Sequence, residues 1–165
     1  MILIANILNT IEETYADGPG IRYSIYFAGC KHNCPHCHNP ESWDFNNGIE
    51  LTDTIINDIY KQIESNPMLT GITISGGDPL YSSKDLLKLL LKIKDLNKNI
   101  WVFTGFTIEE LIDLNDTDIN ECLKYIDVLV DGPYKHELRN LSEFKGSTNQ
   151  RYIYNPYNYI QKRRQ

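Results

Sequence analysis

The feature that most constrains this fold is a repeated unit: a short β-branched or aromatic run, then a glycine-bearing loop, then an amphipathic run. Arg22 to Ala28 is rich in Tyr, Ile and Phe and runs into Gly29. Ile72 to Ser75 meets Gly76-Gly77-Asp78-Pro79, Ile100 to Phe103 meets Thr104-Gly105, and Asp127 to Val130 meets Asp131-Gly132-Pro133. Between them lie helical patterns. In Leu51 to Ser65, isoleucines at 55, 56, 59 and 63 recur at helical spacing behind Thr52 as N-cap. A second helix starts at Ser82 or Ser83 and runs through Leu96. Thr107-x-x-Glu110 is a capping-box pattern that opens a third, with another helical turn or two to about Leu123. Strand and helix in alternation predict a parallel sheet with right-handed crossovers. Ile2 to Ile7 predicts a first edge strand and Arg151 to Tyr154 a last strand, while the tyrosine-rich tail has no clear pattern. In parallel sheets ligands bind beyond the carboxyl ends of the strands, so the unusual loops should meet on one rim. The 165 residues are too few for eight βα units. The expected fold is therefore an α/β partial, open (β/α) barrel with mostly parallel strands, in a single domain over residues 1–165.

One rim loop carries the chemistry. Cys30, Cys34 and Cys37 fall within eight residues as C-x3-C-x2-C. No secretory pattern precedes them and no long apolar run suggests a membrane span, so cytoplasm is the expected compartment. There, clustered cysteines read as metal ligands rather than disulfides. Three thiolates are one short of the four that an ordinary iron–sulfur cluster uses. The reading this favours is a [4Fe–4S] cluster with one iron open to an outside ligand. The competing reading is a zinc-binding interaction module, its fourth ligand being His32, His36 or His38.

Other features read more plainly. Two glycines before Asp78 let main chain approach a ligand closely, although alone they make an ordinary βα turn. Cys122, among Ile119, Leu123 and Ile126, reads as a buried core thiol. His136 lies in a polar loop and reads as exposed, and the alternating Tyr152, Tyr154, Tyr157 and Tyr159 read as strand packing. A net charge of −6 argues against nucleic acid as a partner, and the basic Lys162-Arg163-Arg164 reads as a solvated terminus.

The cysteine motif followed by Gly76-Gly77-Asp78-Pro79 resembles the radical S-adenosylmethionine superfamily. Asp17-Gly18-Pro19-Gly20-Ile21-Arg22 and Cys37-His38-Asn39 are similar to the glycyl-radical-enzyme activases within it. Short length, Trp101 to Gly105 and Lys145-Gly146-Ser147-Thr148-Asn149-Gln150-Arg151 point to the group acting on anaerobic ribonucleoside-triphosphate reductase. The alternative is an activase of another glycyl-radical enzyme, such as pyruvate formate-lyase. The resemblance implies that S-adenosylmethionine chelates the open iron and yields a 5′-deoxyadenosyl radical, which takes hydrogen from a glycine of the partner. It implies a flavodoxin as electron donor. It places His36 near the adenine and Gly76, Gly77 and Asp78 at the methionine amino group, with Cys37 and His38 beside the cofactor. Arg151 becomes a candidate contact to the cofactor carboxylate or to the docked partner loop. Departures from that pattern are Lys145 where the family often has Arg, and Val102 and Pro133 where the pyruvate formate-lyase activase carries an Asp and a Lys.

Overall fold

The computed structural model describes residues 4–140 and 142–165. Among them is a seven-stranded sheet in the order β3-β1-β2-β4-β5-β6-β7. The strands are β1 Asn6–Thr14, β2 Arg22–Phe27, β3 Ile49–Glu50, β4 Gly71–Gly76, β5 Asn99–Phe103, β6 Val128–Asp131 and β7 Arg151–Tyr154. The helices are α1 Asp53–Glu64, α2 Ser83–Ile93, α3 Ile108–Leu114, α4 Thr117–Leu123 and α5 Tyr157–Arg163. Strands β2, β4, β5 and β6 pair in parallel, and β1 and β7 flank them antiparallel. Because β3 is antiparallel to β1, it points the same way as the central four. The sheet ends at β3 on one side and β7 on the other and does not close.

Alternation along the strands separates two faces. Tyr23, Ile25, Phe27, Ile72, Ile74, Ile100, Val102, Leu129 and Ile153 belong to one buried cluster that includes side chains from all five helices. Within it α2 contributes Leu86, Leu89, Leu90 and Ile93, each fully buried; truncating Leu89 to Ala should cost about 2–5 kcal/mol. The opposite face carries Arg22, Ser24, Thr73 and a small second cluster of Trp101, Val128 and Val130 to which no helix contributes. Helices thus cover one face of the open sheet, while the residues named on the other are buried without a helix in their cluster. The local signals are as the sequence implied. Thr52 accepts from the Ile55 N–H, and Thr107 and Glu110 form both bonds of a capping box.

Three expectations need correction. The first strand is Asn6–Thr14, displaced towards the polar residues, and the part of the expected Ile2–Ile7 strand before Ile4 lies outside the described residues. It is also not the edge, because the two-residue β3 pairs outside it. Its polar composition hid it, since only Ile7 along it is buried. The tail forms helix α5, anchored by buried Ile160, and Arg163 pairs with Asp113 instead of being wholly solvated.

Candidate functional site

The loops after β2, β4, β5 and β6 do meet on one rim. They enclose a cavity of about 250 Å³ lined by Cys30, Cys34 and Cys37 together with Gly76, Gly77, Thr104, Gly105 and Gly132, a volume near the lower end for ligand pockets. Because β7 is antiparallel, the segment entering it arrives at this same rim, and Gly146 and Gln150 complete the wall.

The cysteine loop is folded by its own backbone. Gly29 has φ +101° and donates its N–H to the Ser42 carbonyl at 2.7 Å. Asn33 and His36, each just before a cysteine, take left-handed φ of 50° and 59°. For the histidine that costs about 1–2 kcal/mol, and the reversals turn all three thiols into one cavity. The three thiols are free and half-buried. Burial pushes the Cys30 thiol up to about 11 and raises that of Cys34. Metal binding must therefore expel protons that the fold itself retains.

Gly76 and Gly77 are required by close approach to the cysteine loop's own backbone. A Cβ on Gly77 would fall 2.5 Å from the Gly29 carbonyl oxygen, and one on Gly76 would fall 2.3 Å from that of Phe27. Gly77 N–H donates to Phe27 and Asp78 N–H to Gly29, at 2.8 and 2.9 Å. The two sequence motifs thus form one sub-structure. The Asp78 carboxylate is buried and does not line the cavity. It accepts from the Thr104 hydroxyl, the Gly105 N–H, the Leu80 N–H and His32 Nε2.

The remaining sequence candidates divide. His38 lines the cavity, with its ring against Tyr134. His36 stands outside it, its ring 4.5 Å from that of the exposed His136. Arg151 also lies outside, with its guanidinium on Asp131 and Glu109. That pairing, Asp131 first, raises the Arg151 pKa. Its neighbours clamp the loop after β6. Gln150 Nε2 donates to the Gly132 carbonyl, Asn149 Nδ2 to that of Pro133, and the buried Ser147 hydroxyl accepts from the Lys135 N–H. Sequence reasoning missed these holding roles and the His32–Asp78 bond. The only signal was the unusual density of hydrogen-bonding side chains between Ser147 and Arg151. Cys122 is a core thiol between α2 and α4, donating to the Ser83 carbonyl at 3.3 Å.

The three thiols fit a cluster. A zinc site gathers all its ligands round one ion at about 2.0–2.3 Å. A cluster instead needs thiols that share a cavity, each taking its own iron. His32 is bonded to Asp78, so it is not free to complete a zinc shell.

A family described as a 4Fe-4S single cluster domain matches residues 16–153. The anaerobic ribonucleoside-triphosphate reductase-activating protein of Enterobacteria phage T4 is 33% identical over 141 residues, covering 83% of this chain and 86% of that protein. That of Escherichia coli (strain K12) is 38% identical over 143 residues, 81% of this chain and 88% of that protein. The Haemophilus influenzae protein is 34% identical over 151 residues, 88% of this chain and 95% of that protein.

The chain belongs to the family of anaerobic ribonucleoside-triphosphate reductase-activating proteins.

The family match begins in the Asp17 turn and ends in β7, so it contains every loop of the rim. It supports an iron–sulfur cluster in this family member. No helix among the described residues is long and apolar enough to cross a membrane.

Proposed function

We propose that this chain is a radical S-adenosylmethionine activase, a single cytoplasmic domain that installs a glycyl radical on anaerobic ribonucleoside-triphosphate reductase. The observation that carries the reading is the shared cavity: three free thiols line one space with Gly76 and Gly77, the glycine pair at the end of β4. Cys30, Cys34 and Cys37 would hold the cluster. When bound, the cluster and S-adenosylmethionine supply a low-potential electron and the 5′-deoxyadenosyl radical that removes hydrogen from the partner's glycine.

The chain's own residues bind, orient and exclude. An ammonium group only donates hydrogen bonds. The N–H groups of Gly77 and Asp78 are already committed to Phe27 and Gly29, so this loop has carbonyl oxygens to offer the methionine amino group. That is the polarity the role demands. Phe103, Trp43 and Tyr134 line the same cavity and keep water from the reacting end. The His36 ring, resting on His136 at the rim, offers a flat surface for adenine. Arg151 ties β7 to the end of β6 at Asp131 and to α3 at Glu109, next to Gln150, which holds the loop after β6 at the cavity wall. A one-electron donor of the flavodoxin type completes the system.

Mixing the anaerobically reconstituted protein with reductase, S-adenosylmethionine and reductant should produce a glycyl radical visible by electron spin resonance on the reductase and not on pyruvate formate-lyase. A colourless protein carrying one zinc per chain, with no radical on either partner, would overturn the reading.

A further inference from the structure

The bond between His32 and Asp78 has no part in the family reading or in the proposed chemistry. His32 sits midway between Cys30 and Cys34, and its Nε2 lies 2.6 Å from Oδ2 of Asp78, whose side chain is fully buried. The same oxygen accepts from the Thr104 hydroxyl at 2.8 Å and the Gly105 N–H at 2.9 Å, both at the end of β5. The other oxygen accepts from the Leu80 N–H at 3.0 Å. One buried carboxylate therefore joins three rim loops.

The ring is held on every side. Phe106 meets it edge-on with centroids 4.5 Å apart, and Tyr81 packs at 5.1 Å. Below it, a Cβ on residue 105 would come within 2.5 Å of the ring, so only glycine leaves the ring its place. Packing fixes where the imidazole lies, and the Asp78 bond fixes how it is turned.

We propose that His32 is a positioning residue which, through Asp78, sets the cysteine loop in register with Gly76-Gly77, and so sets a cluster on the three thiols against a cofactor held by the glycine pair. This rests on the function proposed above. It goes beyond it by giving the buried carboxylate to the loop junction rather than to the cofactor. The thiols and the glycine main chain are on separate segments, and past the β2–β4 ladder two backbone bonds, from Gly77 and Asp78, join them near the start of the cysteine loop. His32 ties that loop further along, where the chain has already turned towards Cys34.

Two substitutions separate orientation from packing. His32→Phe keeps an aromatic ring between Tyr81 and Phe106 but deletes the donor. His32→Gln places an amide N–H where Nε2 stood. Each reconstituted protein is measured for iron and sulfide content, S-adenosylmethionine affinity by equilibrium dialysis, and the change that the cofactor causes in the spin-resonance spectrum of the reduced cluster. His32→Phe should retain wild-type iron and sulfide, bind the cofactor about 10- to 100-fold more weakly, as loss of a bond to a charged group implies, and lose the spectral change. His32→Gln should recover affinity to within a few-fold, together with the spectral change. Asp78→Asn combined with His32→Phe should weaken affinity no more than the worse single change, because both break one link.

Wild-type affinity and spectral change in His32→Phe would overturn the proposal. So would equal loss of cluster from the Phe and Gln variants, which would make His32 a residue of the fold alone. Strictly additive effects in the double variant would also overturn it. A wild-type protein that takes up iron yet shows no spectral response to S-adenosylmethionine would instead remove the function on which the proposal rests.

Discussion

The two ends of the central strands treat polar groups in opposite ways. At the amino ends, Arg22 is buried against Trp101. Its guanidinium donates to the Thr73 hydroxyl, the Pro19, Ile72 and Asn99 carbonyls and the Asn99 side chain. Asp17 accepts there from the Ser24 and Tyr26 hydroxyls. Burial lowers the Arg22 pKa to about 10, yet every arm of the group has a partner from its own chain. At the carboxyl ends, three half-buried thiols face a cavity beside two glycines. Both ends are built from conspicuous sequence motifs, Asp17 to Arg22 and Cys30 to Cys37. One motif is consumed in holding strands together; the other directs its reactive groups into an open space. A motif's rarity therefore says little about its role until its hydrogen-bond partners are known.

The contrast can be tested at both ends. The largest effect is expected from Cys34→Ala, which should abolish iron retention after reconstitution while the melting temperature of the metal-free protein stays close to wild type. Iron and sulfide analysis beside a thermal melt checks this. Arg22→Met should do the reverse. It strands the buried Thr73 hydroxyl and Ile72 carbonyl as acceptors and should cost about 1–3 kcal/mol of stability, with iron per folded molecule unchanged; denaturant unfolding measures it. Gly77→Ala lies between the two, because its Cβ would press on the Gly29 carbonyl. A loss of about 1–3 kcal/mol should be accompanied by reduced iron uptake, since the displaced carbonyl adjoins Cys30.

A pH series sharpens the rim further. The ordinary thiol value is 9.0 and the folded Cys30 value about 11, so the folded metal-free chain favours the protonated thiol. That contribution to stability is complete below pH 9 and lost as pH rises towards 11. Iron uptake has the opposite sign: it displaces the thiol proton, so affinity should rise with pH up to about 11. Unfolding curves and iron titrations at matched pH values would check both directions. The smallest effect is expected from Cys122→Ala, a buried thiol with no part in the rim. It should cost about 1–2 kcal/mol, as a small core deletion does, and leave iron content unchanged.

Much of this was legible in the sequence because local chemistry and global fold agree. The Thr107–Glu110 capping box, the Thr52 cap and the four central strands follow from spacing and residue type alone. The rim follows too, because parallel strands must place their following loops together. The edges of the sheet were less legible. β1 is half-exposed and polar, so its strand character comes from pairing with β2 rather than from composition. Helix α5 depends on contacts to α3 and α4, far away in sequence. The roles of Asp78 and Arg151 were hidden for a related reason. A carboxylate beside two glycines and an arginine in a polar run look like ligand contacts until their long-range partners, Thr104 and Asp131, are seen.

The central claim is that the three thiolates hold a cluster against which S-adenosylmethionine is cleaved. Its most direct test is to reconstitute the protein anaerobically with iron and sulfide, reduce it with S-adenosylmethionine present, and quantify the products. The account predicts methionine and 5′-deoxyadenosine in equal amounts, and neither from Cys34→Ala. A protein that binds a full cluster, is reduced, and leaves S-adenosylmethionine intact would contradict it.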